Sequence, residues 1–120
     1  MSKTALLFAG QGAQNVGMGK DLAEAFPIAK TLFEQANEIL GYDLATVCFD
    51  GPEDELTKTE NAQPAIFLVS WIAFQLLKEK SPALAFDAVA GLSLGEFTAL
   101  AAADALSFED GLRVVRQRGK

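Results

Sequence analysis

Gly91-Leu92-Ser93-Leu94-Gly95 puts a serine between two glycines, each two residues away, and no other stretch of this chain points as directly to chemistry. It follows an apolar run, Phe86 to Ala90, and precedes an Ala/Leu-rich segment, Phe97 to Ala103. At a strand-to-helix junction this spacing builds a nucleophile elbow. The turn is so tight that only hydrogen fits at the two flanking positions, and the serine hydroxyl projects outward. The N–H of Leu94 would then open the helix and point to where an oxyanion forms. The competing reading is a Gly-rich turn whose serine merely caps a helix. Strand, elbow and helix in that order favour the nucleophile.

Gly10-Gln-Gly12 also follows an apolar run. A third glycine would fall at Asn15, which breaks the dinucleotide fingerprint, and no Gly-Lys-Ser/Thr makes a phosphate loop. What remains is a strand-end loop carrying two amides, Gln11 and Gln14, at the sheet end where ligands bind in parallel α/β folds. Each amide either donates to a developing oxyanion or braces its loop. Arg118 falls near Gly111 and Val115, at the edge of the face that Phe108 and Leu112 bury. Its partner is a protein carboxylate or a bound one, unless it merely complements a helix C-terminus together with Arg116 and Lys120. Glu96 suits the helix dipole and need not be catalytic. The Gln63 amide is expected to satisfy nearby backbone, and Phe67, Trp71 and Phe74 to fill the core.

A serine hydroxyl is a poor nucleophile without a base, and the chain has no histidine. Either the chemistry is not serine chemistry, or the base lies outside these 120 residues. Sixteen acids against ten bases give a net charge of -6, which argues against a general nucleic-acid binder. Cys48 is alone, so no internal disulfide or cysteine metal cluster forms; a small buried apolar role and a reducing cytoplasm fit it. The apolar run Ala65 to Leu77 is well short of the roughly 20 residues a membrane span needs, and Ala5 to Ala9 is too short for a secretory signal.

These residues must be positioned by an alternation of strands and helices. Thr4 to Ala9 reads as a short buried strand and Phe86 to Ala90 as a second. Between them, a helical turn or two runs from Lys20 or Asp21 to Phe26. A helix from Pro27 stops at Gly41, with Ile28, Leu32, Ala36 and Ile39 or Leu40 facing inward. A short helix capped by Asp43 runs to Phe49, and Glu53 to Lys58 reads as polar surface or another helical turn. Asn61 caps a long helix to Lys80 with Pro64 in its first turn. Ser107-Phe-Glu-Asp110 resembles a capping box that starts the last helix. The fold class is α/β, a parallel sheet flanked by helices.

In order and spacing, several segments resemble the malonyl-CoA:acyl-carrier-protein transacylases and related acyltransferase domains of fatty-acid and polyketide synthases. They are Phe8-Ala-Gly-Gln-Gly-Ala-Gln14, Gly17-Met-Gly19, Leu40-Gly-Tyr-Asp-Leu44, Gln63-Pro-Ala65, Gly91-Leu-Ser-Leu-Gly-Glu96 and Arg116-Gln-Arg-Gly-Lys120. The resemblance implies ping-pong transfer from malonyl-CoA, through an acyl-serine at Ser93, to the phosphopantetheine thiol of acyl carrier protein. It implies Gln11 and the Leu94 N–H as oxyanion donors, and Arg118 as the partner of the malonyl carboxylate. It implies no metal, no cofactor, no nucleic acid, no membrane, and a cytoplasmic, monomeric full-length enzyme. Leu92 stands where the family usually has histidine, Ala9 where it has proline, and Ala13 where serine is common.

By the same resemblance, residues 1–120 are the N-terminal portion of an α/β-hydrolase-like subdomain. The base histidine, its orienting carbonyl and a ferredoxin-like subdomain then follow Lys120. The Met1 start favours a free-standing parent. Two other classes stay in view. A serine esterase or thioesterase shares the elbow but does not need Arg118. A carrier-docking module would use a basic patch of Arg113, Arg116 and Lys120.

Overall fold

The computed structural model describes residues 3–120, so the expectation attached to Met1 lies outside the described residues. Two strands, β1 (Ala5–Phe8) and β2 (Ala88–Gly91), pair in parallel with Ala5 opposite Ala88 and Phe8 opposite Gly91. Parallel partners need a crossover, and here five helices supply it. They are α1 (Lys20–Ala25), α2 (Pro27–Leu40), α3 (Leu44–Asp50), α4 (Glu53–Thr57) and α5 (Thr59–Lys80). After β2 come α6 (Leu94–Ala102) and α7 (Phe108–Gly119). The α/β class and parallel pairing match the sequence expectation. Both strands are shorter than expected and neither is fully buried. Their residues alternate between exposed and half-buried, because two strands with these helices leave the row of Ala5 and Leu7 uncovered.

Local signals placed several boundaries. Pro27 begins α2, and Gly41, at φ 78°, closes it in the left-handed region that glycine adopts without strain. Asp43 accepts from the Thr46 N–H to cap α3, and Ser107 accepts from the Asp110 N–H to cap α7. The inward stripe of α2 differs from the expectation by one position. Ala29, Phe33 and Ala36 are buried, Leu32, Ile39 and Leu40 flank the core, and Ile28 is exposed. The Phe33 ring decides this rotation, since it meets Phe49 of α3 edge-on at 4.7 Å.

The core is built around α5, which buries Ala62, Ala65, Ile66, Phe67, Leu68 and Ile72 against α2, α3 and α7. Helix α7 lies along it, with Leu112 and Val115 buried and the Phe108 ring stacked on Phe67 and Trp71 at 6.0 and 5.7 Å. Phe67, Trp71 and Phe74 thus serve as core side chains, as expected.

Two expectations about the start of α5 are corrected. Asn61 is not its cap: the helix begins at Thr59, and the buried Asn61 side chain reaches across to α4 and α7 instead. Pro64 sits in the second turn, where it lacks the N–H that would bond the Glu60 carbonyl. Arg116 fills that vacancy from α7. Its Nη1 donates to the Glu60 carbonyl at 3.0 Å, to Asn61 Oδ1 at 2.9 Å and to the Tyr42 hydroxyl at 2.7 Å. Its guanidinium also lies 4.3 Å from the centre of the Tyr42 ring. Arg116 is therefore an interhelical clamp rather than a free helix-end cation or docking surface, and α7 is fixed in register on α5.

Two expected outcomes follow from this packing. Arg116→Ala should lower unfolding stability by about 2 kcal/mol in urea denaturation, because three buried or half-buried oxygens lose a charged donor. Burial pushes the Tyr42 phenol up to about 12 from 10.0, against the Arg116 charge, and pushes the Cys48 thiol up to about 12 from 9.0. Both are raised, so their contribution to stability is complete below the unfolded value and is lost as pH rises through the folded one. Stability should therefore fall between about pH 9 and about pH 12, and Tyr42→Phe, which has no phenolic proton, should show a shallower fall in the same titration.

Candidate active site

Only Leu92 and Ser93 separate the last residue of β2 from the first of α6. So short a reversal forces Ser93 to φ 55° and ψ -104°, outside the regions an L residue adopts freely. Such a backbone costs on the order of 1–3 kcal/mol and persists only where its surroundings leave no alternative. Here they leave none. A β-carbon on Gly91 would overlap the Gly95 backbone, and one on Gly95 would overlap the Phe8 carbonyl. The sequence reading of Gly91 and Gly95 as a steric requirement therefore holds, and α6 packs directly against the end of β1.

The Ser93 side chain does not cap α6. Its exposed Oγ instead accepts a hydrogen bond from Arg118 Nη2 at 2.7 Å. The other terminal nitrogen, Nη1, donates to Gln63 Oε1 at 3.0 Å, and the guanidinium carbon lies 5.3 Å from the centre of the Phe97 ring. Among the described residues the ion pairs are Lys58–Glu55 and Arg113–Glu109, so no carboxylate there pairs with Arg118. The guanidinium is thus held by an amide, a hydroxyl and a ring face, and no carboxylate among the described residues compensates its charge.

Leu94 is the first residue of α6, so its N–H has no intrahelical acceptor and sits beside Ser93 at the positive end of the helix. Its side chain is fully buried, which fixes that N–H. Glu96 lies exposed in the same first turn. Leu92, next to the nucleophile position, is 79 % exposed.

The loop after β1 abuts the elbow, since a β-carbon on Gly10 would strike the Leu92 carbonyl. Within it the two glutamines differ. Gln14 Oε1 accepts from the Gly12 N–H at 2.8 Å and braces the loop. Gln11 Nε2 donates to the Thr59 hydroxyl at 3.2 Å, at the start of α5. The fold therefore joins Ser93 and Arg118 directly, with the Leu94 amide adjoining. Gln11 flanks them with its amide turned to Thr59 rather than to Ser93.

Sequence reasoning missed the part played by Gln63. Its amide satisfies a side chain on another helix, not nearby backbone, and it is only 4 % exposed. The available signal was an amide at the head of the apolar run Pro64 to Leu68, since a buried amide needs a partner. Among the described residues no group of His, Cys, Asp and Glu side chains could hold a metal ion, and no helix is long and apolar enough to cross a membrane.

Residues 5–120 match the acyl transferase domain family. The chain is 49% identical, along its whole length, to the malonyl CoA-acyl carrier protein transacylase of Bacillus subtilis, of which it spans 37%. A crystal structure of MCAT from Streptococcus pneumoniae superposes with a TM-score of 0.91 at 49% identity, over 98% of this chain and 37% of that one. A malonyl-transacylase in complex with its type II PKS acyl-carrier protein superposes with a TM-score of 0.92 at 42% identity, over 98% of this chain and 38% of that one. An elbow serine beside an arginine that no described carboxylate pairs with thus occurs in a chain that belongs to the acyl transferase domain family.

Proposed function

We propose that this chain is the nucleophile-bearing part of an S-malonyltransferase that moves a malonyl group from coenzyme A to acyl carrier protein. The observation that carries the reading is the Arg118–Ser93 hydrogen bond of 2.7 Å from a guanidinium with no carboxylate partner among the described residues. A cation of that kind beside a nucleophile suits an acyl group with its own free carboxylate, because a guanidinium binds carboxylates bidentately and selectively. Names of relatives support the same substrate pair.

In this reading Ser93 Oγ attacks the thioester carbonyl and its proton passes to a base. The tetrahedral oxyanion is held by the Leu94 N–H and by the Gln11 amide, which turns from Thr59 to reach it. Collapse breaks the C–S bond, and coenzyme A leaves as the thiol. The carrier's phosphopantetheine thiol then attacks the acyl-serine and restores Ser93. During both steps Arg118 holds the malonyl carboxylate, so the reacting carbonyl stays over Ser93. No metal or cofactor enters any step.

The chain contains no histidine, so the base comes from residues beyond these 120. We place the chain as the N-terminal portion of an α/β-hydrolase-like subdomain, with the base and a ferredoxin-like subdomain elsewhere in a monomeric, cytoplasmic enzyme. A docking-only role is disfavoured, because Arg113 pairs with Glu109 and Arg116 is spent on α5.

Mass spectrometry of acyl-Ser93 tests this in the full-length protein carrying the chain. Malonyl-CoA should load Ser93 far better than acetyl-CoA. Arg118→Ala should cut malonyl loading by about 2 kcal/mol, or roughly thirtyfold, while sparing acetyl loading. An unchanged malonyl-to-acetyl ratio in that variant would remove Arg118 from its role. The 120-residue chain by itself should give no Ser93-dependent malonyl transfer; measurable transfer would show that no external base is needed.

A further inference from the structure

We propose that Gln63 is a specificity-determining positioning residue, which orients Arg118 toward Ser93 while leaving its positive charge free for the acyl carboxylate of the substrate. The proposal rests on the malonyltransferase reading for its substrate and on geometry for everything else.

Gln63 lies in the second turn of α5 and is 4 % exposed, so its amide is a fixed acceptor rather than a wandering surface group. Its oxygen takes Arg118 Nη1 at 3.0 Å, and the opposite nitrogen, Nη2, is thereby presented to Ser93 Oγ at 2.7 Å. A long, exposed arginine would otherwise sample many rotamers, and one bond to a rigid helix removes most of them. The clamp formed by Arg116 on Glu60 and Asn61 secures the same stretch of α5 against the same turn of α7. Donor and acceptor therefore cannot slide past one another.

The chemistry of the acceptor matters as much as its place. An amide oxygen orients a guanidinium without cancelling its charge. A carboxylate at this position would pair with the guanidinium through a charge-assisted bond and compete with the carboxylate of an incoming ligand. Gln63, nearly isosteric with glutamate, thus keeps the site selective for acyl groups that bring their own anion. A neutral acyl group uses neither Arg118 nor Gln63.

The test compares wild type, Gln63→Glu and Gln63→Met in the full-length protein, with kcat and KM measured for malonyl-CoA and for acetyl-CoA. Gln63→Glu should lower the malonyl-to-acetyl ratio of kcat/KM by about tenfold or more, through a raised KM for malonyl-CoA, with acetyl values within about twofold of wild type. Gln63→Met, which removes the acceptor without adding charge, should lower the ratio by a smaller factor. The proposal is overturned if Gln63→Glu keeps the wild-type ratio, or if it depresses both substrates equally, as a merely structural role would. Should Gln63→Glu fail to fold by thermal melting, a wild-type ratio in Gln63→Met overturns it instead. A wild-type enzyme with no malonyl preference defeats the underlying malonyltransferase reading. A wild-type preference that Arg118→Ala abolishes and both Gln63 variants retain defeats only this proposal.

Discussion

The two-residue connection between β2 and α6 is the constraint from which the site is built. A strand that reverses into a helix over Leu92 and Ser93 must hold a non-glycine residue at positive φ. It can do so only because Gly91, Gly95 and the Phe8 carbonyl are in direct backbone contact. That contact also brings α6 onto the end of β1, so the β1 loop and the elbow share one end of the sheet. Parallel pairing makes the two carboxyl ends coincide. The exposure of the Ser93 hydroxyl, the alignment of the Leu94 amide and the nearness of the Gln11 loop follow from the same few ångströms of crowded backbone.

The second determinant is the seam between α5 and α7. Both arginines in the last turn of α7 reach the first two turns of α5, Arg116 to Glu60 and Asn61 and Arg118 to Gln63. All of these acceptors are neutral. The seam therefore carries two cations that no described carboxylate neutralises, one shared among fixed oxygens and one left at the elbow. Aromatic faces contribute on the same side, Tyr42 under Arg116 and Phe97 near Arg118.

Where the physics is local, the sequence was readable. Gly41, Asp43 and Ser107 act on backbone within a turn, and Gly91 is required by the Gly95 backbone four residues on, whereas Gly95 meets the distant Phe8 carbonyl and was readable only through the spacing of the elbow. The class of fold also followed from the alternation of apolar runs and helical spacing. What could not be read is set by contacts across long stretches of chain. Asn61 looked like a cap because two of its partners, Tyr42 and Arg116 of α7, lie far along the sequence. Gln63 meets Arg118 across 55 residues, and no periodicity encodes that. The α2 stripe was off by one position because the spacing fits either choice, and only the Phe33–Phe49 contact selects between them. The β1 run reads as fully buried, since a continuous apolar pattern records the environment a strand is built for, not the cover these residues provide.

Pro64 has one more consequence. By deleting an intrahelical bond it leaves the Glu60 carbonyl open, and Arg116 answers from the neighbouring helix. The two positions thus behave as a single thermodynamic unit. Restoring an N–H at residue 64 would return the carbonyl to its own helix and take away a partner on which Arg116 relies. The effects of changing each should therefore not add, and drift at either site is tied to the other, although fifty-one intervening residues separate them along the chain.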